Sequence, residues 1–232
     1  MTGRLGLLLI VAVLGGGCSG LEEGAGGVVG IAVSVPGPDT VEVGESVQLS
    51  ARPLDKNGDS VGTPVAWISG DPAASVDGAT GVLTGVAPGS ARVQATVGTL
   101  GSELITFAVV APADTLLISG DSILTVTIGA ATLPALPTVL QSFHPVGPVP
   151  NRPVIYAITS PDPAVAPPTV TLASGAVVDT LLTGTDGTAT TTLVVAAGAV
   201  PPDSVIVELR AQRTRGAGVP GSGQRFIVRF QP

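Results

Sequence analysis

Apolar and polar residues alternate along many short segments of this chain, and an alternation of period two predicts β-strands with one buried face. The segment from Ser90 to Val97 is the most regular, because the residues between its apolar positions are all polar or charged. Its predicted buried face consists of Ala91, Val93, Ala95 and Val97. We therefore expect this strand to line a hydrophobic core.

The same period occurs in two segments that precede this strand. In the segment "TVEVGESVQLSAR" the apolar residues occupy odd-numbered positions only, namely Val41, Val43, Val47, Leu49 and Ala51. In "PVAWIS", Val65 and Trp67 lie on one face. Between the two segments, "DKNGDS" contains an Asn-Gly pair, which favours a tight hairpin turn. These patterns predict one β-sandwich with Trp67, the only tryptophan of the chain, in its core.

A second group of alternating segments follows beyond residue 112. Their predicted buried faces are Leu124, Val126 and Ile128; Ala189, Thr191, Leu193 and Val195; Val205, Val207, Leu209 and Ala211; and Phe226, Val228 and Phe230. The length of 232 residues fits two small domains. We therefore predict a second sandwich.

Composition supports an all-β chain. Only 12% of the residues are charged and 3% are aromatic, while glycine and proline number 32 and 21. Short strands joined by glycine- and proline-rich turns have this composition. The net charge of -7 argues against a nucleic-acid partner, because phosphate binding needs clustered basic residues.

The N-terminus has the pattern of an export signal. Arg4 precedes an apolar run from Leu5 to Leu14, which is too short to span a bilayer, and small residues lead to Cys18, the only cysteine. This segment resembles the signal peptide of bacterial lipoproteins, although Gly15 stands where that family has leucine. The resemblance implies a cleaved signal peptide at residues 1–17 and a lipidated Cys18 that anchors the protein in a membrane. An ordinary signal peptide with an incidental cysteine is the alternative.

Residues 18–30 contain several glycines and no sustained periodicity, which indicates a flexible tether after the anchor. We place the first domain at residues 31–111 and the second at residues 112–232. With a single cysteine, the chain has no intrachain disulfide.

Residues 31–111 resemble the group 2 bacterial immunoglobulin-like domains. The resemblance is carried by "VEVGESVQLSA", "DKNGD" and "VAWISGDPAASVDGATGVLTGVAPGSARVQATV". It implies a β-sandwich with Trp67 in the core, and a role as a spacer or adhesive module.

Residues 112–232 resemble the group 1 bacterial immunoglobulin-like repeats of invasin and intimin stalks. The resemblance rests on "TDGTATTTL" and on the final segment "GQRFIVRF". Residues 133–154 depart from the family pattern because they contain six prolines. We expect this segment to form a long ordered loop, or to be an insertion.

No constellation of residues predicts an enzyme, a cofactor or a metal site. His144 is the only histidine and has no acidic neighbour in sequence, so we interpret it as a solvated loop residue. Asp55, Asn57 and Asp59 offer alternate oxygens, but no glutamate follows at the calcium-loop spacing. A hairpin turn is the better interpretation of that segment.

The basic residues of the second domain lie close together in sequence. Arg210, Arg213, Arg215, Arg225 and Arg229 lie on two predicted strands and the glycine-rich loop that joins them. One hypothesis is a binding patch for an acidic glycan, anionic lipid or protein carboxylates. The alternative is a charged edge that prevents strand aggregation.

Three classes of function follow from these features. The first is a lipid-anchored, extracytoplasmic binding, adhesion or spacer module of the outer membrane or cell surface, with the membrane, a glycan or an envelope protein as partner. The second is an accessory subunit that holds an envelope enzyme or transporter through an edge strand or the arginine hairpin. The third, an enzyme, has no residues to support it.

Overall fold

The structure is a computed structural model that describes residues 27–164 and 168–232, and all of its regular secondary structure in those ranges is strand. The prediction of an all-β chain with two tandem sandwiches is confirmed. The strands divide at a short segment, residues 111–114, between Val110 and Thr115.

Ten strands form the first sandwich. They are β1 (Gly30–Ser34), β2 (Thr40–Glu42), β3 (Ser46–Gln48), β4 (Ser50–Leu54), β5 (Ala66–Ser69), β6 (Ala74–Val76), β7 (Val82–Gly85), β8 (Gly89–Val97), β9 (Leu100–Gly101) and β10 (Ile105–Val110). One layer has the order β2-β10-β8-β5, with β9 attached to β8. The other consists of β1-β4 and β3-β7-β6, which are joined because only Leu49 separates β3 from β4.

Ten further strands form the second sandwich. They are β11 (Thr115–Ile118), β12 (Ile123–Thr127), β13 (Ala135–Phe143), β14 (Val146–Pro148), β15 (Pro153–Ser160), β16 (Val170–Leu172), β17 (Val178–Leu182), β18 (Thr188–Val195), β19 (Ser204–Ala211) and β20 (Arg225–Gln231). One layer has the order β11-β13-β18-β16, with β14 attached to β13, and the other has the order β12-β20-β19-β15-β17.

The two sandwiches share one topology, which is that of the immunoglobulin-like fold. In each, the first strand pairs antiparallel within one layer, and the second strand crosses to the other layer and pairs parallel with the last strand. The crossing separates Val41 from Val47: both are buried, but they lie in different layers. Gly44 permits the turn between these layers because its φ is +80°.

Each sandwich has its own hydrophobic core. The first core includes Ala91, Val93 and Ala95 of the predicted face of β8, and Trp67 lies in it with 6% of its surface exposed. Val97 is buried as predicted but is not part of this cluster. Gly81 lies against the indole ring, since a Cβ at this position would be 2.6 Å from Trp67 Nε1. The second core contains the predicted faces of β19 and β20, including Val207 and Phe226.

The expectation of a long loop at residues 133–154 is wrong, because these residues form β13, β14 and the start of β15. The alternative, an insertion, stays a prediction. The prolines occupy positions that strands tolerate: Pro148 lies in the short outer strand β14 and Pro153 is the first residue of β15. Pro137 lies within β13, where its carbonyl accepts the Ser119 N–H just beyond the end of β11. A second prediction fails at Ile128, which is 43% exposed because β12 ends one residue earlier.

Tyr156 connects the two layers of the second sandwich. It is fully buried on β15, and its hydroxyl donates to the Ala189 carbonyl of β18 at 2.7 Å and lies 2.7 Å from Thr138 Oγ1 of β13. Burial raises the pKa of Tyr156 to about 12, and the hydrogen bond with Thr138 opposes this shift only in part. The neutral phenol is therefore the form that the folded chain stabilises.

We expect Tyr156, the only tyrosine of the chain, to ionise near pH 12 in the folded protein and at the ordinary value near 10 in denaturant. Because the folded pKa is the higher one, this stabilisation is complete below pH 10 and is lost as the pH rises from 10 to 12. Tyrosinate absorbance measures the titration, and Trp67 fluorescence monitors unfolding in parallel. Ionisation near pH 10 in the native protein would show that Tyr156 is accessible to solvent.

Candidate functional site

The most densely bonded polar cluster in the described residues lies between the two sandwiches, and we call it the junction. From the first sandwich and the connecting segment it contains Glu42, Glu45 and Asp114, and from the second it contains Arg152, Arg213, Thr214 and Arg215. It forms where β2 and β10 end side by side, since Glu42 is paired with Val110.

Glu42 is the centre of the junction and is fully buried. Its carboxylate accepts the Ala113 N–H at 3.3 Å and the Thr214 N–H at 3.1 Å. Arg213 Nη1 lies 3.6 Å from Oε2, and Arg152 Nη2 contacts Oε1. Every one of these four groups belongs to the connecting segment or to the second sandwich, so one side chain of the first sandwich is enclosed by the second.

The turn after β2 adds a second carboxylate. Glu45 Oε2 accepts the Glu42 N–H and the Thr214 hydroxyl, both at 2.9 Å. The first bond fixes the turn locally, and the second crosses to the other sandwich. The loop after β19 is therefore held at Thr214 through both its backbone and its side chain.

Arginines of the second sandwich complete the junction. Arg213 Nη2 donates to Asp114 Oδ1 at 2.9 Å, while the other oxygen of Asp114 accepts the Phe143 N–H at 2.7 Å. Arg215 donates to the Pro36 and Pro38 carbonyls at 2.6 and 2.7 Å. These contacts join the loop after β19 to the connecting segment and to the residues just before β2.

Arg152 is nearly as buried as its partner, with 9% of its surface exposed. Burial lowers the pKa of Arg152, and the nearby charge of Arg213 lowers it further. A buried charge of this kind is tolerated only next to an opposite charge, and the loss of either partner is costly. Glu42 and Arg152 therefore depend on each other, and their contact requires one relative position of the sandwiches.

A cleft of about 630 Å³ lies beside the junction and is formed by both sandwiches. Most of its walls are proline, valine and alanine, and Arg152 is the one charged residue among those that line it. The lining contains neither a nucleophile paired with a base nor a carboxylate pair, so it offers no general acid–base chemistry.

The structure divides the five arginines predicted as a binding patch. Arg213 and Arg215 contact the first sandwich and are not available as a free hairpin tip. Arg210 and Arg225 both pair with Glu208, at 2.7 and 3.0 Å, and remain more than half exposed. These hydrogen bonds, first from Arg210 and then from Arg225, lower the pKa of Glu208.

Arg229 lies further along the same face of β20 and is exposed. Within the described ranges no salt bridge involves Arg229. The outer face of β19 and β20 therefore carries Arg210, Arg225 and Arg229, which is a smaller basic surface than the sequence predicts.

The other candidates from the sequence are Cys18, His144 and the turn at Asp55. Cys18 and the predicted signal peptide at residues 1–17 lie outside the described residues. His144 is exposed in the turn between β13 and β14. Asp55 accepts the backbone N–H groups of Asp59 and Asn57 and shapes the predicted turn, and the bond from Asp59 is the main cause of its lowered pKa.

Residues 27–164 and 168–232 hold no group of three or more His, Cys, Asp or Glu side chains suited to a metal ion. In the same ranges, no helix is long and apolar enough to cross a membrane.

Sequence reasoning missed Glu42 and Arg152. Glu42 lies on the polar parity of "TVEV", which predicts a side chain facing solvent, and the second sandwich covers it instead. Arg152 lies 110 positions away, in the segment interpreted as a loop. The only local signal for the junction was a glutamate on a strand between apolar residues, and this signal does not identify Arg152 as its partner.

Comparison with known proteins supports the fold of the first sandwich. Residues 30–109 match the family described as bacterial Ig-like domain (group 2). The match covers about a third of the chain, and the group 1 resemblance of the second sandwich stays a prediction. No curated protein matches the chain.

Solved structures that match this chain share little sequence with it. The Yersinia pseudotuberculosis adhesin InvE is 18% identical with a TM-score of 0.40, over 87% of this chain and 59% of that one. Domains 4 and 5 of the S-layer protein SbsC are 15% identical with a TM-score of 0.33, over 88% and 99%. The D00-D0 domain of intimin is 14% identical with a TM-score of 0.31, over 87% and 100%.

We expect Glu42→Gln to destabilise the chain by about 3–5 kcal/mol, the usual cost when one partner of a buried ion pair is removed. Trp67 reports on the first sandwich and Tyr156 on the second, because the chain has one residue of each type. Denaturant titrations that follow both signals measure the effect in each sandwich.

The matched control is Glu103→Gln, which removes an exposed carboxylate of the first sandwich and should leave both transitions at their wild-type midpoints. If Glu42→Gln also left both midpoints unchanged, the junction would contribute nothing to stability.

Proposed function

We propose that this chain is a lipid-anchored, extracytoplasmic spacer that holds its two immunoglobulin-like sandwiches in one fixed arrangement outside a membrane. The observation that carries the proposal is the enclosure of Glu42 by the connecting segment and the second sandwich. Tandem domains normally move relative to each other unless their contact is extensive. Here the buried charges of Glu42 and Arg152, one from each sandwich, contact each other only in one arrangement.

The connecting segment supports the same role. Residues 111–114 are short, the Ala113 side chain lies in the second core, and the Ala113 N–H is bonded to Glu42. Asp114 is bonded at both carboxylate oxygens. A short connection held at Ala113 and Asp114 transmits the orientation of one sandwich to the next.

The anchor is inferred from the N-terminal sequence. An apolar run followed by small residues and Cys18 suits lipid modification, and the glycine-rich residues that follow Cys18 suit a tether. The first sandwich begins before the predicted boundary at residue 31, since Val28 is fully buried and β1 starts at Gly30. Together they support a location outside the cytoplasm, which we propose to be the outer membrane or cell surface.

A non-catalytic role agrees with the side chains of the sandwiches, which supply contacts and no reactive pair. The outer face of β19 and β20 is the basic surface available to a partner. Arg210, Arg225 and Arg229 are exposed there and suit a carboxylate-bearing glycan or envelope protein.

Cys18→Ser tests the anchor. We expect the variant to lose membrane attachment, because an acylated cysteine with more than one chain holds a protein in a bilayer almost permanently, at about 0.8 kcal/mol per buried CH₂. Membrane fractionation and incorporation of labelled palmitate measure the loss.

Ser19→Ala is the matched control, since it changes the neighbouring residue and keeps the cysteine. A Cys18→Ser variant that stayed with the membranes and took up as much palmitate as the control would rule out lipidation at this residue.

A further inference from the structure

The cleft beside the junction has the size and the position of a ligand site. Its volume of about 630 Å³ lies within the range of roughly 300–1,000 Å³ that is usual for small-molecule pockets, which often form between domains. Both sandwiches contribute to its walls, so the cleft depends on their fixed arrangement. We infer that this cleft binds a small aliphatic carboxylate, a role additional to the proposed spacer function.

The walls of the cleft favour an apolar ligand body. Most of the lining residues are small and aliphatic, namely Pro38, Pro88, Val110, Ala111, Val149 and Pro150. Within the described ranges no aromatic side chain lines the cleft, so the walls offer no ring for stacking. A saturated chain suits such walls, because its burial away from water is favourable and needs no directed partner.

Arg152 brings hydrogen-bond donors without acceptors to this cleft. The residue lines the cleft, and only 9% of its surface is exposed. Its Nη2 contacts Glu42 Oε1, but neither Nη2 nor Nε makes a regular hydrogen bond within the described residues. Buried donors that stay unpaired are costly. The site therefore favours a ligand that supplies an acceptor.

A carboxylate is the acceptor that suits Arg152 best. A guanidinium group has five N–H donors, so it can bind a second carboxylate while it keeps its contact with Glu42. Glu42 is also shared with Arg213, and burial and the charge of Arg213 both lower the pKa of Arg152. A carboxylate in the cleft supplies an acceptor and a compensating charge together.

The polar side chains of the lining argue against a sugar. Besides Arg152 they are Thr40, Asn151 and Thr214, and the Thr214 hydroxyl already donates to Glu45. A sugar presents hydroxyl groups on every side, and most of them would be buried against proline and valine without a partner. The ligand of the cleft therefore differs from the glycan proposed for the outer face of β19 and β20.

Asn151 provides a conservative way to test the charge. It lines the cleft next to Arg152 in sequence, is exposed, and has a φ of +55°, a conformation that both asparagine and aspartate adopt more readily than most residues. Asn151→Asp therefore keeps the backbone and adds a negative charge to the wall of the cleft. Asn57, the other asparagine of the chain, is exposed and lies in the turn after β4, outside the lining. Asn57→Asp is the matched control.

Calorimetric titrations of the Cys18→Ser chain with octanoate, octanol and glucuronate test the site. Octanoate has the aliphatic chain and the carboxylate, octanol has the chain alone, and glucuronate has the carboxylate on a sugar. We expect octanoate to bind at least about tenfold more tightly than either of the others, because a hydrogen bond to a charged group contributes about this factor.

The variants separate charge recognition from apolar binding. Asn151→Asp should weaken octanoate binding by about fivefold through charge repulsion and leave octanol binding unchanged, whereas Asn57→Asp should change neither. Arg152→Lys keeps a positive partner for Glu42 but lacks the guanidinium plane, so it should reduce the preference for octanoate over octanol. Its denaturant midpoint shows whether it folds, and if it does not, Asn151→Asp decides the test alone.

Three results would overturn the site: no measurable binding of octanoate, equal affinities for octanoate and octanol, or octanoate binding that Asn151→Asp leaves unchanged. None of these results depends on lipidation, because Cys18 is replaced in every titration. The contribution of the Glu42 ion pair is measured separately by the denaturant titrations of Glu42→Gln. Failure of the ligand site therefore leaves the anchor and the fixed arrangement of the sandwiches standing.

Discussion

The buried carboxylate of Glu42 is the constraint on which the arrangement of this molecule depends. A charge with no exposed surface needs partners that replace water, and the contacts found for the Glu42 carboxylate come from outside the first sandwich. They come from Ala113 in the connecting segment and from Arg152, Arg213 and Thr214 of the second sandwich. The buried charge of Glu42 is therefore stabilised only when the two sandwiches have this relative orientation.

The junction also explains why the arginines of the β19–β20 hairpin do not form one free binding patch. Arg213 and Arg215 are used to hold the first sandwich, and Arg210 and Arg225 share Glu208. A chain with few charged residues places most of its arginines in specific contacts. The basic surface that is left for a partner is correspondingly small.

The strands were predictable because alternation is a local property, and a half-buried strand needs apolar residues only at every second position. Trp67 in the first core follows from the same pattern. The junction was not predictable in this way, because Glu42 and Arg152 belong to separate modules and neither has a local partner. The loop expected at the proline-rich residues 133–154 failed for a related reason, because proline is compatible with an outer strand, with the start of a strand and, at Pro137 of β13, with a position where its carbonyl accepts a hydrogen bond.

Spin-label distance measurements between the sandwiches test the central claim most directly. In a Cys18→Ser background, labels at Lys56 and Asp121 lie on exposed positions of the first and second sandwich. If the contacts of Glu42 hold the two sandwiches together, we expect one narrow distance distribution in the protein that retains Glu42, and a broader one when Glu42→Gln is added. A broad or multimodal distribution in the chain that retains Glu42 would contradict the account, because the two sandwiches would then move independently.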